Sequence, residues 1–504
     1  MLKNSQLLFW LLVAVMASRL LTMFSVPLAD MTEPRYAEIA RVMAATGDWI
    51  TPWFHLNVPF WGKPPLSFWC QALSFKLFGV SEFTGRLPSW LATVGMLALV
   101  MRLATAMADR KAGLWAGLIF ATMALTYISA GTVMTDSFLA LGTTLSLVSF
   151  AMVLSGHRRG WRWGPFLGLI IGLLAKGPLT LILLGTPVFF WALWSRGWRT
   201  LFTELPWGRG LLLTLVLTLP WYIAAELKTP GFLDYFIIGE HIKRFLDPGW
   251  AGDLYGSAHS QPHGMIWLHF IGATFPWSII GVAGLAVAWR HSRLREQMGK
   301  GLRDSRIRLA VTSTLTAPVF FTLSGNILWT YVLPSLPFFA LILALGLAAI
   351  GTERSPARDR AGLSAILLVP VVATIGGLYV SFDTHTLRTE KPIVAAYDQR
   401  AEPTTPPLVY LNEPPFSALF YSAGRVQSVT FDDLTSDGSN LATCPAFIAV
   451  NKSDIERFKR MCPAGQPIAR SKHYTLFKTP SGDTKQPDTP SSQIDAIANS
   501  SAPS

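Results

Sequence analysis

Charged residues are scarce in this 504-residue chain. Only 14% of the residues are Asp, Glu, Lys or Arg, whereas 51% are hydrophobic. Soluble domains carry about 25% charged residues, so the composition argues against a water-soluble protein and indicates a membrane protein. The chain also lacks a P-loop motif, and no Asp-x-Asp motif lies in a cytoplasmic domain. These absences argue against ATP-driven transport and against a nucleotide-sugar site.

Cysteine is nearly absent as well, with three residues in the whole chain. Cys70 lies in an apolar region, where a thiol packs without reacting. Cys444 and Cys462 both lie in the polar C-terminal segment. Two cysteines in one exported domain predict a disulfide, and two unpaired thiols are the alternative.

Long apolar stretches fill most of the first 382 residues. They predict a polytopic α-helical membrane protein with about 11–13 transmembrane helices, because a bilayer core of about 30 Å needs some 20 apolar residues per helix. No small-residue cleavage site follows the first stretch, 7–24, so we interpret it as a retained anchor. The stretches are 7–25, 86–105, 113–131, 136–154, 164–175, 178–195, 210–226, 264–289, 309–325, 328–351 and 361–381.

Basic residues account for the formal net charge of +12, and their positions indicate topology. They cluster at every second break between apolar stretches, for example at 157–162 and 290–308. This positive-inside pattern predicts that these loops face the cytoplasm and that the intervening loops, 26–86 and 227–264, face outward. The same distribution argues against a nucleic-acid partner and leaves membrane lipids as the expected surroundings.

The composition divides the chain into three parts: a transmembrane domain at 1–382, a small outward α/β domain at 383–479 and a disordered tail at 480–504. Within the first outward loop, 33–45 is predicted to be a helix lying along the membrane interface, because Pro34 suits a first helical turn and Gly47 ends the apolar pattern. Short strands are predicted at 407–411, 446–450 and 474–477, and a helix at 454–460.

Ionisable residues collect at the predicted outer ends of the helices. Asp136 lies where the chain turns between two apolar stretches, which suggests either a functional acid or a helix N-cap. Lys63 precedes two prolines, and Lys176 ends an apolar stretch before Gly177. A lysine at headgroup level can bind a phosphate, although it can also simply reach the interface. Together, carboxylates and cations suit glycosyl transfer from a lipid phosphate.

Several short motifs resemble those of the bacterial 4-amino-4-deoxy-L-arabinose transferases of lipid A and, more distantly, those of protein O-mannosyltransferases. Both are GT-C-type glycosyltransferases that use polyprenyl-phosphate sugars. The order and spacing hold from about residue 7 to 350. The motifs include Glu33-x-Arg35-Tyr36-Ala37-Glu38, Gly47-Asp48-Trp49, Lys63-Pro64-Pro65, Asp136-x-Phe138, Lys176-Gly177, Glu240-His241-Ile242-x-Arg244 and Thr330-Tyr331-x-Leu333-Pro334.

The resemblance implies a bacterial inner-membrane enzyme whose active site faces the periplasm. Its donor would be a sugar on undecaprenyl phosphate, and its acceptor lipid A, a polysaccharide or a protein. Thr32 and Gly62 stand where the family usually has acidic residues, so the sugar, the acceptor and a divalent metal are left open. We expect the catalytic carboxylate, which acts as general base, to be Glu33 or Asp136, with Asp30 as the alternative. The expected donor-phosphate ligands are Lys63, Arg35, Tyr36, Lys176, His241, Arg244 and Tyr331.

Two other functions are compatible with the sequence. A transporter or lipid flippase would place charge near the middle of the membrane and often shows internal repeats, whereas here the charges collect on one side and no repeat is visible. A GT-C scaffold that binds lipid or protein without catalysis is the second alternative, since Thr32 and Gly62 remove two acids.

Overall fold

A computed structural model describes residues 5–30, 32–55, 57–247, 250–256, 259–349, 356–434 and 444–479. The segment 480–504, predicted to be disordered, lies outside the described residues. The described chain is helical up to Phe382 and continues into a C-terminal part built on a mixed sheet.

The helices of the first half are α1 (Ser5–Ser25), α2 (Thr32–Thr46), α3 (Leu66–Phe78), α4 (Glu82–Met107), α5 (Arg110–Thr122), α6 (Ala124–Ser129), α7 (Asp136–Leu154), α8 (Gly164–Lys176), α9 (Leu179–Ser195), α10 (Trp198–Glu204) and α11 (Trp207–Lys228). They are followed by a π-helix (Asp234–Lys243), α12 (Arg244–Leu246), α13 (Met265–Ala273), α14 (Trp277–Arg290), α15 (Ser292–Gly301), α16 (Ser305–Thr322), a 3-10 helix (Trp329–Ser335), α17 (Leu336–Ala349) and α18 (Pro356–Phe382).

The predicted polytopic helical fold is confirmed, but fewer helices than the predicted 11–13 can span a bilayer by length and composition. Within the described residues six helices meet this criterion, or seven if α13 and α14, bent by 99°, form one span. The difference arises because several predicted stretches form helices that are too short for this criterion. The helix α8, for example, has 13 residues and extends only about 20 Å.

The loop after α1 carries the predicted interfacial helix. This helix, α2, begins and ends within one residue of the predicted bounds, and Gly47 follows it with a positive φ of 72°. Its buried face includes Tyr36, Ile39 and Met43. Beyond α2, β1 (Trp53–His55) pairs antiparallel with β2 (Val58–Pro59). Because α2 packs on α3 and on the C-terminal part, it joins the helical part to the sheet.

Close packing between α7 and α8 brings together the ends of two helices. A Cβ atom at Gly142 would lie 2.6 Å from the carbonyl oxygen of Gly168, so only glycine permits this approach. The two helices run in opposite directions, and α7 is mostly buried. As a result, the first residue of α7, Asp136, lies beside the last residue of α8, Lys176.

The C-terminal part contains a five-stranded sheet in the order β4-β3-β5-β7-β6. The pairs β3–β4 and β3–β5 are parallel, and β5–β7 and β7–β6 are antiparallel. Cys444 and Cys462 form a disulfide with Cα atoms 6.1 Å apart. The elements are α19 (Lys391–Asp398), β3 (Val409–Leu411), α20 (Phe416–Tyr421), β4 (Gln427–Val429), β5 (Phe447–Asn451), α21 (Ile455–Met461), β6 (Gln466–Arg470) and β7 (Tyr474–Lys478).

Candidate active site

Four ion-paired side chains form what we call the Glu240 cluster. Lys63 Nζ lies 3.0 Å from one oxygen of Glu240, and Arg244 lies 2.9 Å from the other. Arg244 also contacts Asp253 at 3.3 Å. The π-helix explains part of this arrangement, because side chains five residues apart in it share a face. Tyr235 accordingly donates a 3.4 Å hydrogen bond to Glu240.

The charge state of the Glu240 cluster is fixed by its cations. Burial raises the pKa of Glu240, but Lys63 and Arg244 together outweigh that effect and hold the pKa at about 2. The carboxylate is therefore ionised at neutral pH and keeps the two cations close to each other. Like-charged groups held in this way form a ready site for an anion.

A second group, the Asp136 cluster, lies where α7 and α8 meet. Lys176 Nζ contacts Asp136 Oδ1 at 2.8 Å and lies 5.1 Å from the centre of the Tyr331 ring. Both charged side chains are largely buried, with 14% of Asp136 exposed. Within the described residues, Asp136 Oδ2 has no hydrogen-bond partner. One oxygen is thus held in place while the other is available to a substrate.

His241 connects the two clusters. Its Nδ1 lies 2.7 Å from the carbonyl oxygen of Phe236 in the same π-helix, and its Nε2 lies 3.0 Å from the carbonyl oxygen of Lys176. The imidazole therefore contacts the backbone at the end of α8 and lies within the helix that carries Glu240. Both ring nitrogens face protein atoms, so the geometry does not present the ring to a donor phosphate as predicted.

Arg35 is a cation whose guanidinium has no carboxylate partner in the part of the chain that the structure describes. It donates a 2.5 Å hydrogen bond to the carbonyl oxygen of Tyr255 and lies 5.2 Å from the Tyr36 ring. Its buried Nε has no hydrogen-bond partner among the described residues, and the same holds for Arg244 Nε. Each of these two N–H groups can therefore donate a hydrogen bond to a ligand that reaches it.

Glu33, one of the predicted catalytic acids, is bound on both oxygens. Arg86 contacts them at 2.8 Å each, and the backbone N–H of Val133 donates to one of them. The Arg86 side chain is almost completely buried. It also donates to carbonyl oxygens at the end of α1 and in the loop that follows, those of Met23, Val26 and Pro27. Glu33 and Arg86 therefore form a buried ion pair that engages both carboxylate oxygens.

Asp30, the other alternative acid, contacts the C-terminal part. Its carboxylate accepts hydrogen bonds from the backbone N–H and the hydroxyl of Ser417, and its own N–H donates to Arg388. Burial raises the pKa of Asp30 to about 6, although both Ser417 bonds lower it. Asp30 thus lies at the junction between the helical part and the sheet.

Of the predicted residues, six lie in or between the two clusters: Lys63, Asp136, Lys176, His241, Arg244 and Tyr331. Glu240 and Asp253 were not among the predicted site residues. Glu240 had a signal in the sequence, because it begins the motif Glu240-His241-Ile242-x-Arg244. Within the described residues, no group of three His, Cys, Asp or Glu side chains could hold a metal ion.

Parts of this chain are similar in sequence to known glycosyltransferases. Residues 62–223 match the family model described as dolichyl-phosphate-mannose-protein mannosyltransferase. The chain is 31% identical over 320 residues to the undecaprenyl phosphate-alpha-4-amino-4-deoxy-L-arabinose arabinosyl transferase of Pseudomonas aeruginosa UCBPP-PA14. That alignment covers 62% of this chain and 54% of the relative. A second relative, arabinosyl transferase 2 of Pseudomonas fluorescens Pf0-1, is 29% identical over 355 residues, 69% of this chain and 61% of the relative.

The structural similarity covers more of the chain than the sequence similarity does. ArnT from Cupriavidus metallidurans, in a crystal structure bound to undecaprenyl phosphate, superposes with a TM-score of 0.72 at 19% identity, covering 94% of this chain and 98% of that one. The apo oligosaccharyltransferase of Archaeoglobus fulgidus superposes with a TM-score of 0.52 at 12% identity, covering 90% and 71%. The chain spans a little over half the length of the curated relatives it matches. The expected resemblance to polyprenyl-phosphate glycosyltransferases is confirmed, and this multi-pass membrane protein has the fold of ArnT.

Proposed function

We propose that this chain is an integral-membrane glycosyltransferase. It moves a sugar from a polyprenyl phosphate, such as undecaprenyl phosphate, to a hydroxyl group on an acceptor. The observation that carries the proposal is that His241 links the Glu240 cluster, which holds Lys63 and Arg244, to the end of α8, where Lys176 pairs with Asp136. The names of the Pseudomonas relatives, which are undecaprenyl phosphate-dependent transferases, support it.

Lys63 and Arg244 bind the donor phosphate in this proposal. Glu240 holds the two cations in place before the donor arrives, and the unpartnered Nε of Arg244 offers a further donor. Arg35 supplies a second unpartnered N–H nearby. A phosphodiester with one negative charge becomes a phosphomonoester with up to two as the sugar leaves. The cations therefore stabilise the leaving group more strongly than they stabilise the bound donor.

Asp136 is the general base of this proposal. Glu33 and Asp30 have both carboxylate oxygens engaged by protein groups, whereas Asp136 is engaged on one oxygen only. Its carboxylate accepts the proton of the acceptor hydroxyl, and the hydroxyl oxygen bonds to the anomeric carbon of the sugar. The bond from that carbon to the phosphate oxygen breaks, and the lipid phosphate leaves. Lys176 holds the other carboxylate oxygen of Asp136 in place for this step.

The site faces the periplasm of a bacterial inner membrane in this proposal. The support is the alternation of basic loops, which assigns 157–162 and 290–308 to the cytoplasm. Single cysteines placed at Arg400 and Arg295 test it with a membrane-impermeant thiol reagent. We expect labelling at 400 and none at 295 in intact spheroplasts. Labelling at 295 alone would put the site on the cytoplasmic side and contradict the proposal.

A scaffold that binds lipid phosphate without transfer is the second candidate. The engagement of Glu33 and Asp30 by other protein groups favours it, because it leaves Asp136 as the one predicted acid with an unengaged oxygen in the described structure. The two candidates differ in their response to Asp136→Asn. A scaffold would keep its effect in cells, and an enzyme would lose it.

The acceptor can be lipid A, a polysaccharide or a protein, and one experiment separates them. Lipid A, surface glycans and exported proteins are analysed by mass spectrometry in cells with the chain, without it, and with Asp136→Asn in its place. We expect one class to lose a sugar mass in both the deletion and the Asp136→Asn strain. Lys228→Ala, which removes an ion-paired lysine outside both clusters, is the control and should retain the modification. Unchanged glycans in all strains would contradict the proposal.

A further inference from the structure

The imidazole of His241 lies between two groups that can only accept hydrogen bonds. Nδ1 is 2.7 Å from the carbonyl oxygen of Phe236, and Nε2 is 3.0 Å from the carbonyl oxygen of Lys176. A neutral imidazole has one N–H, so it can bond to only one of these oxygens and turns a lone pair toward the other. Both bonds form together only when the ring carries two protons.

These two oxygens belong to different helices. Phe236 is five residues before His241 in the π-helix, so the bond to its oxygen is internal to that helix. Lys176 is the last residue of α8, and Gly177 follows it with a φ of +67°. A Cβ at Gly177 would lie 2.6 Å from the Phe236 ring, so the two helices are in tight contact at this point. The bond from Nε2 therefore determines whether α8, and with it Lys176, is held to the π-helix.

Some groups around the His241 ring disfavour a second proton on it, and others favour that proton. Burial lowers the pKa of His241, and the Lys63 cation lowers it further, whereas the two carbonyl oxygens and Glu240 raise it, with a net lowering. Two phenol groups lie on elements near the ring: Tyr222 on α11, 6.2 Å from the Phe236 ring, and Tyr331, whose ring centre is 5.1 Å from Lys176 Nζ. An anion placed beside Lys63 would offset the charge that disfavours the second proton.

We propose that His241 is a positioning residue that takes up a proton from solvent when an anion binds at Lys63 and Arg244, and then bridges the carbonyl oxygens of Phe236 and Lys176 with one hydrogen bond from each ring nitrogen. The identity of that anion as a lipid phosphate rests on the function proposed above. Binding at the Glu240 cluster would in this way fix the cation that pairs with Asp136. Both hydrogen bonds that join the two clusters would then be made at the same time only when the donor is bound.

Three variants of His241 distinguish the hydrogen bond made by Nδ1 from the one made by Nε2. Gln at position 241 can place an amide N–H near the position of Nε2, so His241→Gln keeps the bond to Lys176 without a titrating group. Asn is shorter and places its N–H near the position of Nδ1, so His241→Asn keeps only the bond within the π-helix. His241→Phe removes both bonds. All three retain a side chain at the position, and thermal unfolding in detergent checks that each variant is folded.

The assay measures the affinity for a short-chain polyprenyl phosphodiester between pH 5.5 and 8.5, where the ligand itself does not titrate. We expect wild-type affinity to be about tenfold higher at pH 6 than at pH 8, which corresponds to a shift of about one pKa unit on binding. His241→Gln should bind with no pH dependence and near the wild-type value at pH 6. His241→Asn and His241→Phe should bind about tenfold more weakly at pH 6, also without pH dependence.

The outcomes discriminate between the two proposals. Wild-type binding without pH dependence, or equal affinities for the Gln and Asn variants, would overturn the role of His241 and leave the proposed function intact. No binding by folded wild-type protein at any pH would overturn the donor assignment together with the proton uptake that depends on it.

Discussion

A single substitution of Glu33 can distinguish a structural role of this residue from a catalytic role. The structure pairs both of its oxygens with Arg86 at 2.8 Å, and only 3% of the Arg86 side chain is exposed. Glu33→Gln removes the negative charge and leaves the arginine cation buried. Removal of one partner from a buried ion pair typically costs about 3–5 kcal/mol of folding free energy, and Gln retains an acceptor, so we expect about 3 kcal/mol.

The assay for this variant combines apparent melting temperature in detergent with turnover per folded molecule. We expect a clearly lower melting temperature and a turnover within a few fold of wild type. Arg86→Gln, which breaks the same pair from the other side, is the matched control and should destabilise at least as much, because Arg86 also donates to the carbonyl oxygens of Met23, Val26 and Pro27. An unchanged melting temperature with turnover reduced about 100-fold would refute the structural role and identify Glu33 as the general base.

Three further variants test the site and the junction. Asp136→Asn should lower turnover by at least about 100-fold with little change in donor affinity, as single-turnover and binding measurements would reveal; near-normal turnover would exclude Asp136 as the base. Lys63→Ala should weaken binding of polyprenyl phosphate about tenfold or more, whereas Lys228→Ala should not; equal effects would exclude a specific role for Lys63. Burial raises the pKa of Glu390 to about 8, so the folded protein retains a proton that the unfolded chain releases above about pH 5. Stability of the C-terminal part should therefore fall from pH 5 to pH 8 in hydrogen exchange, and Glu390→Gln should remove most of that fall.

Local sequence signals predicted the elements whose ends are set by particular residues. The helix α2 was predicted within one residue because Pro34 and Gly47 mark its ends. Strands β3, β5 and β7 followed from short β-branched and aromatic runs, whereas β4 and β6 were not predicted. Their burial is low, so the sequence there has little apolar pattern. The predicted 11–13 helices exceed the six or seven that meet the length-and-composition criterion within the described residues, because shorter apolar helices such as α8 and α9 do not meet it.

The site was predictable only in part, because ion pairs join residues far apart in the chain. Asp136 and Lys176 were singled out individually, but the glycine contacts between α7 and α8 that bring them together appear only in the fold. Asp30 seemed equivalent to the other acids in sequence, yet its partner Ser417 is 387 residues away. Motif order thus selected the candidate residues, and long-range contacts separate the acids engaged on both oxygens from the acid engaged on one.

Transfer of a sugar from a polyprenyl phosphate can be measured in a single turnover with purified protein. Wild-type protein in lipid vesicles is mixed with a radiolabelled undecaprenyl-phosphate sugar and the acceptor identified in cells. We predict that one polyprenyl phosphate is released for each labelled acceptor formed, and that Asp136→Asn forms neither product on the same timescale while still binding the donor. If the donor binds to wild-type protein but stays unreacted for many hours in the presence of the acceptor, the chain is not a transferase for this donor.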